Sequence, residues 1–220
     1  MTRRALGSSP RRVEAARALT LAGLMMLAAH GIARAETTGP ASATVCEGCH
    51  GLHGEGNAPA GIPRLAGQSA EYLSKQLEDY ASGDRANPVM QNFAKALSHA
   101  DIEAVATYFS TADAPRTVIP STASVPQLAL GRRLARQGSE AKRVQACDSC
   151  HGPDGIGVLH AAPYLAGQSV QYLTSALTSF QLRTRKNDPG KLMTSVAGQL
   201  SASDIAAAAA YFSSLPTGTP

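Results

Sequence analysis

The sequence predicts an all-α protein made of two tandem domains that arose by internal duplication. Three observations carry this. The string Cys46-Glu-Gly-Cys49-His50-Gly recurs as Cys147-Asp-Ser-Cys150-His151-Gly; blocks well outside these strings recur at nearly constant offsets; and the apolar residues of both copies follow a helical period.

Residues 1–35 read as a cleavable signal peptide. Arg3, Arg4, Arg11, Arg12 and Arg17 form a positive n-region, an apolar run follows over Ala18 to Ala29, and Ala33-Arg34-Ala35 fits the cleavage site. That run is shorter than the roughly 20 residues a spanning helix needs. Export to the periplasm is therefore expected. The leader carries six Arg and one Glu, so the rest of the chain has 14 Lys+Arg against 15 Asp+Glu, a net charge of −1 rather than the +4 of the whole. Nearly balanced charge gives no support to nucleic-acid binding.

Domains are expected at 36–112 and 127–216, joined by a linker at 113–126. Pro63-Arg-Leu-Ala-Gly-Gln-Ser69 returns as Pro163-Tyr-Leu-Ala-Gly-Gln-Ser169, Tyr72-Leu73 as Tyr172-Leu173, and Tyr108-Phe109-Ser110 as Tyr211-Phe212-Ser213. Tyr72, Leu73, Gln76, Leu77 and Tyr80 share one helical face, as do Tyr172, Leu173, Ala176, Leu177 and Phe180. The last helix of each copy shows Ile102, Val105, Ala106 and Phe109, then Ile205, Ala208, Ala209 and Phe212. Each is preceded by Ser-x-x-Asp (Ser98/Asp101, Ser201/Asp204), a capping box with Asp in place of Glu. Between the copies, Ala112 to Pro126 contains Pro115, Pro120 and Pro126, which favour an extended connector. An additional amphipathic stretch, Leu128 to Gln137, precedes the second Cys string. With 5% aromatics and no Trp, a purely polypeptide core would be thin.

The paired strings supply what the core lacks. C-x-x-C-H is the attachment signature of c-type haem, so two covalently bound haem c groups are expected, at Cys46 and Cys49 and at Cys147 and Cys150. These are all four cysteines of the chain. A zinc ribbon would separate its pairs by about 15–20 residues, whereas Cys49 and Cys147 stand 98 apart. His50 and His151 are the expected axial iron ligands. Outside the leader the only methionines are Met90 and Met193, 40 and 42 residues after these histidines and at matching distances before the Leu-Ser-x-x-Asp-Ile blocks. Met is ordinarily an interchangeable core filler, so this duplicated placement marks both as sixth ligands. His53, His99 and His160 lack counterparts in the other copy and read as surface or locally bonded side chains. Carbonyls at Pro63 and Pro163 are placed to accept the ligating histidines' Nδ1–H.

Taken together, these motifs closely resemble the cytochrome c4 family of di-haem class I cytochromes. The likeness spans 41–215 and rests on C-x-x-C-H-G, Pro-x-Leu-Ala-Gly-Gln-Ser, Tyr-Leu and Met…Leu-Ser-x-x-Asp-Ile…Tyr-Phe, each present twice. It departs at Ala176, which replaces Gln76, and in a longer loop before Met193. The resemblance implies two lobes about a pseudo-two-fold axis with haem propionate edges facing. It also implies a periplasmic electron carrier of the respiratory chain, between a quinol-oxidising cytochrome bc complex and a terminal haem-copper oxidase, with peripheral association with the inner membrane as an option. His/Met ligation leaves no open iron site, which argues for a carrier and against an enzyme such as a peroxidase or thiosulfate-oxidising cytochrome. An electron-accepting cytochrome subunit of a dehydrogenase stays open, because fold does not choose the partner.

Charge divides unevenly. Residues 36–115 hold 4 Lys+Arg and 10 Asp+Glu, and residues 116–220 hold 10 and 5. The chain is near neutral but dipolar, and Arg183, Arg185 and Lys186 are the expected positive contact for one redox partner. Two covalent haems make a direct prediction: the exported protein keeps haem stain on a denaturing gel, whereas protein expressed without the leader is an unstable, haem-free chain. A stable, cooperatively folded haem-free form would contradict this.

Overall fold

The computed structural model describes residues 39–114, 121–157 and 162–217. The leader, Pro115, Pro120 and His160 lie outside these. Among the described residues the regular structure is helical, with only the isolated bridges Asn57–Ile62 and Ser139–Val144 of β type. The first lobe contains α1 (Ala41–His50), α2 (Ala70–Ser82), α3 (Pro88–Lys95) and α4 (His99–Thr111). The second contains α5 (Val125–Gln137), α6 (Asp148–His151), α7 (Val170–Gln181), α8 (Leu192–Ala197) and α9 (Ala202–Ser214).

The helix starts follow from short polar side chains. Ser69 and Ser169 accept the backbone N–H of Tyr72 and Tyr172, opening α2 and α7. Ser98 and Ser201 each form a complete capping box, with Asp101 and Asp204 reaching back to the cap N–H. Each such cap contributes about 1 kcal/mol. Pro126 sits in the first turn of α5. An N–H is unpaired there anyway, so this proline begins a helix rather than extending the connector.

The cores repeat with the sequence. In the first lobe Ala43, Leu73, Val105, Ala106 and Phe109 form the buried cluster, and Cys46, Leu65 and Leu77 pack against it. In the second, Ala135, Leu173, Ala209, Tyr211 and Phe212 do so, joined by Cys147 and Leu165. The loop after each histidine is stitched identically. Gly56 N–H bonds the His50 carbonyl, Leu65 and Ala66 N–H bond the Gly54 carbonyl, and Gly67 N–H bonds the Phe109 carbonyl. Gly157, Leu165, Ala166 and Gly167 repeat these bonds to His151, Gly155 and Phe212. Gly54 and Gly155 have φ of +73° and +71°, and a Cβ there would lie 2.6 and 2.8 Å from the Phe109 and Phe212 rings. Only glycine admits that approach.

The lobes differ in how the Cys string is delivered. In the first it closes the continuous helix α1, which packs on α4. In the second, α5 lies along α9 and the chain turns before the short α6. Between α5 and α7, the alanines 207–210 of α9 are all buried.

The described residues belong to one compact unit, and polar groups join the lobes. Buried Gln68 donates from Nε2 to the Tyr164 carbonyl at 2.7 Å and accepts the Tyr164 N–H at 2.9 Å. Gln168 makes the same pair with Arg64, at 3.0 and 2.9 Å.

The α5–α9 contact gives a stability prediction. Alanine at Gly131 would gain about 1 kcal/mol of helix propensity. Its Cβ would, however, stand 2.2 Å from the Ala207 carbonyl oxygen and 2.6 Å from Tyr211 Cβ. Overpacking of this kind costs about 1–3 kcal/mol, so Gly131→Ala lowers the denaturant midpoint of the holoprotein. An unchanged or raised midpoint would show that the helices are not pressed together at this point.

Candidate functional site

Each histidine of the paired strings ends a helix and is buried beside cysteines that are half-buried or exposed. His50 and His151 are both 6% accessible. The His50 Nδ1–H donates to the Pro63 carbonyl at 2.9 Å, and the His151 Nδ1–H to the Pro163 carbonyl at 2.8 Å. This fixes the tautomer and leaves Nε2 as the free lone pair, the arrangement of an imidazole metal ligand. Burial lowers both imidazole pKa values below 6.5, against the opposing effect of the proline carbonyls. Both rings are therefore held neutral, the form that can ligate.

The first cysteine of each string turns inward. Cys46 Sγ lies 3.7 Å from the Ser42 carbonyl, and Cys147 Sγ lies 3.6 Å from that of Leu134. Burial, then the neighbouring acid, pushes both thiols up, Cys147 to about 11. Cys49 and Cys150 are exposed. Each pair thus has one thiol anchored in the core and one at its edge. Such a pair suits thioether bonds at two corners of one flat group.

Met90 lies in α3 and Met193 in α8, both half-buried. Asn87 accepts the Met90 N–H at 3.0 Å. The segment after Met193 is held by Asp188, whose carboxylate accepts the Thr194 N–H at 2.8 Å and its hydroxyl at 2.9 Å. Val89 and Phe93 of α3, Leu192 of α8, and Val45 and Leu52 around the first string are large and exposed. Apolar groups left in the open beside the buried histidine strings and the two methionines fit a large apolar cofactor. His53 and His99 are surface side chains, the latter beside Glu78 and Glu103.

Arg185 departs from expectation. It is 8% accessible, as is Arg85, so neither belongs to an exposed patch. Arg85 donates to the Tyr172 hydroxyl at 3.1 Å and Arg185 to that of Tyr72 at 3.2 Å, each across the seam between lobes. Their guanidinium groups stack 4.6 Å from the Tyr80 ring centre and 4.4 Å from that of Phe180. The planar group finds an aromatic face and a phenol there, which an exposed contact would not offer. Burial opposes ionisation of Tyr172, but Arg85 and Arg185 outweigh it and bring this phenol down to about 8. Tyr72 is pushed up by burial and by Tyr172. Among the described residues no carboxylate forms an ion pair with either arginine. The Arg-x-Asn repeat, Arg85/Asn87 and Arg185/Asn187, was the sequence signal for this cluster.

Comparison with known proteins bears on the same residues. The cytochrome c family model matches 38–113 and 135–216, once per lobe. The thiosulfate dehydrogenase electron acceptor of Stutzerimonas stutzeri is 42% identical over 174 residues, covering 79% of this chain and 80% of that one. Cytochrome c4 of Pseudomonas aeruginosa is 38% identical over 197 residues, covering 87% and 96%. The crystal structure of cytochrome c4 from Pseudomonas stutzeri superposes with a TM-score of 0.72 at 34% identity, over 80% of this chain and 99% of that one. The thiosulfate dehydrogenase structure from Marichromatium purpuratum matches 78% of this chain with a TM-score of 0.70 and 38% identity, and this chain covers 36% of its length. With the haem c string present once in each matched domain, the chain belongs to the cytochrome c family, as a di-haem electron-transfer protein of the cytochrome c4 group.

Proposed function

We propose that this protein is the electron-accepting cytochrome of a periplasmic dehydrogenase, with a thiosulfate-oxidising enzyme as the electron donor. The carrying observation is the 42% identity, over four-fifths of both chains, to a thiosulfate dehydrogenase electron acceptor. A shuttle from a cytochrome bc complex to a haem-copper oxidase is the second reading, favoured by the 38% identity to cytochrome c4. No helix among the described residues is long and apolar enough to cross a membrane. Together with the signal-peptide reading, this supports a periplasmic protein. The division into lobes at 36–112 and 127–216 is supported by the two family matches.

Each bound haem iron supplies one-electron chemistry by cycling between ferric and ferrous states. The chain's part is to hold and tune it. Cys46 and Cys49, and Cys147 and Cys150, attach the two groups. His50 and His151, oriented by the Pro63 and Pro163 carbonyls, would hold the two irons through Nε2, with Met90 and Met193 as the second protein ligand of each. Arg85 and Arg185 offer two buried positive charges at the seam with no carboxylate ion-paired to them among the described residues, and haem carboxylates are suitable counter-ions.

Ligation has a spectroscopic test. The oxidised protein should show the weak thioether-to-iron charge-transfer band, and Met90→Ala or Met193→Ala should each remove roughly half of it and lower one potential. A full band in either variant rejects that methionine.

Partner choice has a kinetic one. Thiosulfate plus its dehydrogenase should reduce the oxidised protein rapidly at low salt. Reversing the exposed charges Arg183 and Lys186 to Glu should slow exchange with one partner and leave the other nearly unchanged. Faster reduction by a quinol-oxidising complex than by the dehydrogenase would favour the second reading.

A further inference from the structure

Asn87 and Asn187 occupy the same place in the two copies but bond differently. Asn87 caps its own methionine helix through the Met90 N–H. Asn187 instead crosses the seam. Its Nδ2 donates to Gln76 Oε1 at 2.9 Å and to Asp79 Oδ2 at 2.6 Å, both on α2 of the first lobe. Its Oδ1 accepts the Arg185 Nε–H at 2.9 Å. The next residue, Asp188, is the one that grips Thr194, directly after Met193. A continuous line of bonds and adjacent residues thus runs from α2 to the Met193 segment.

Asn87 makes no such strap in return, and the second copy lacks the side chains for one. The positions matching Gln76 and Asp79 in the second lobe are Ala176 and Ser179. Ala176 has no acceptor, and the Ser179 hydroxyl is turned to the Ser175 carbonyl within its own helix. The duplication is therefore broken at both positions that a strap would need.

We propose that Gln76, Asp79 and Asn187 are positioning residues through which the first lobe holds the sixth-ligand segment of the second haem, by a side-chain strap that Asn87 does not make in return. It rests on the His/Met reading above, and its test separates the two.

In the reduced holoprotein, each ligating methionine gives its own strongly shifted methyl resonance, assigned by loss in Met90→Ala and in Met193→Ala. Gln76→Ala and Asp79→Ser install the residues that the second copy already carries. In these variants and in Asn187→Ala, the Met193 signal should broaden. Imidazole should also displace Met193 about tenfold more readily, the loss expected for one charge-assisted hydrogen bond. The Met90 signal should stay sharp in Asp79→Ser and Asn187→Ala; Gln76 Oε1 also accepts from Arg85 and Arg185, so Gln76→Ala is read on the Met193 signal alone. Asn87→Ala should act on the Met90 signal alone. An undisturbed Met193 in all three strap variants, or equal loosening of both haems in Asp79→Ser and Asn187→Ala, overturns the proposal. If the methionine variants remove no shifted signal, the ligation reading itself has failed.

Discussion

Burying a histidine next to the attachment cysteines is possible only because each Nδ1–H finds a carbonyl 12 or 13 residues further on. An unpaired ring N–H at that depth would cost a few kcal/mol. Satisfying it requires the intervening loop to return with its proline carbonyl aimed inward. The glycines after each histidine, the bonds from Leu65 and Ala66 to Gly54, and the closure of Gly67 on Phe109 all serve that return. The second lobe repeats each contact. The final helices thereby brace the two buried histidines, although they contribute none of the attachment residues themselves.

That shared requirement explains what the copies keep and what they vary. The stitched loop is nearly invariant between lobes, whereas the helix before the Cys string is free to change. The second lobe uses α5 and a turn where the first has α1 alone. Small residues at Gly131 and Ala135 let α5 lie against the alanines of α9, and this contact replaces the α1–α4 packing.

Much of this is legible in the sequence. The helical faces at Leu73 and Leu173, the capping serines 98 and 201, and the proline acceptors are short-range signals, written in residue type and spacing. The seam is not. Gln68 and Gln168 pair with backbone atoms 96 and 104 residues away. A backbone acceptor leaves no mark in the sequence, so a repeated Gln in a loop names no partner. Arg185 was misplaced for a related reason: composition counts its charge but cannot see the Phe180 ring or the Tyr72 hydroxyl that draw it inside. Pro126 was read as a connector residue because a proline marks a helix start and a helix stop with the same letter.

The reciprocal glutamine contacts have an evolutionary reading. Each amide clasps the main chain of the opposite lobe, so the side chains at the clasped positions are free to diverge, as Arg64 and Tyr164 have. A joint of this form is self-complementary, the pattern of a two-fold contact between separate, identical single-haem chains. Fusing such a pair into one gene would turn a dimer that dissociates on dilution into a permanent one, because the partner is then always present at the high local concentration set by the linker. Once tethered, the halves no longer had to match. One copy can then carry Gln76 and the other Ala176 without dissolving the assembly, which is how a duplicated joint can become unequal on its two sides.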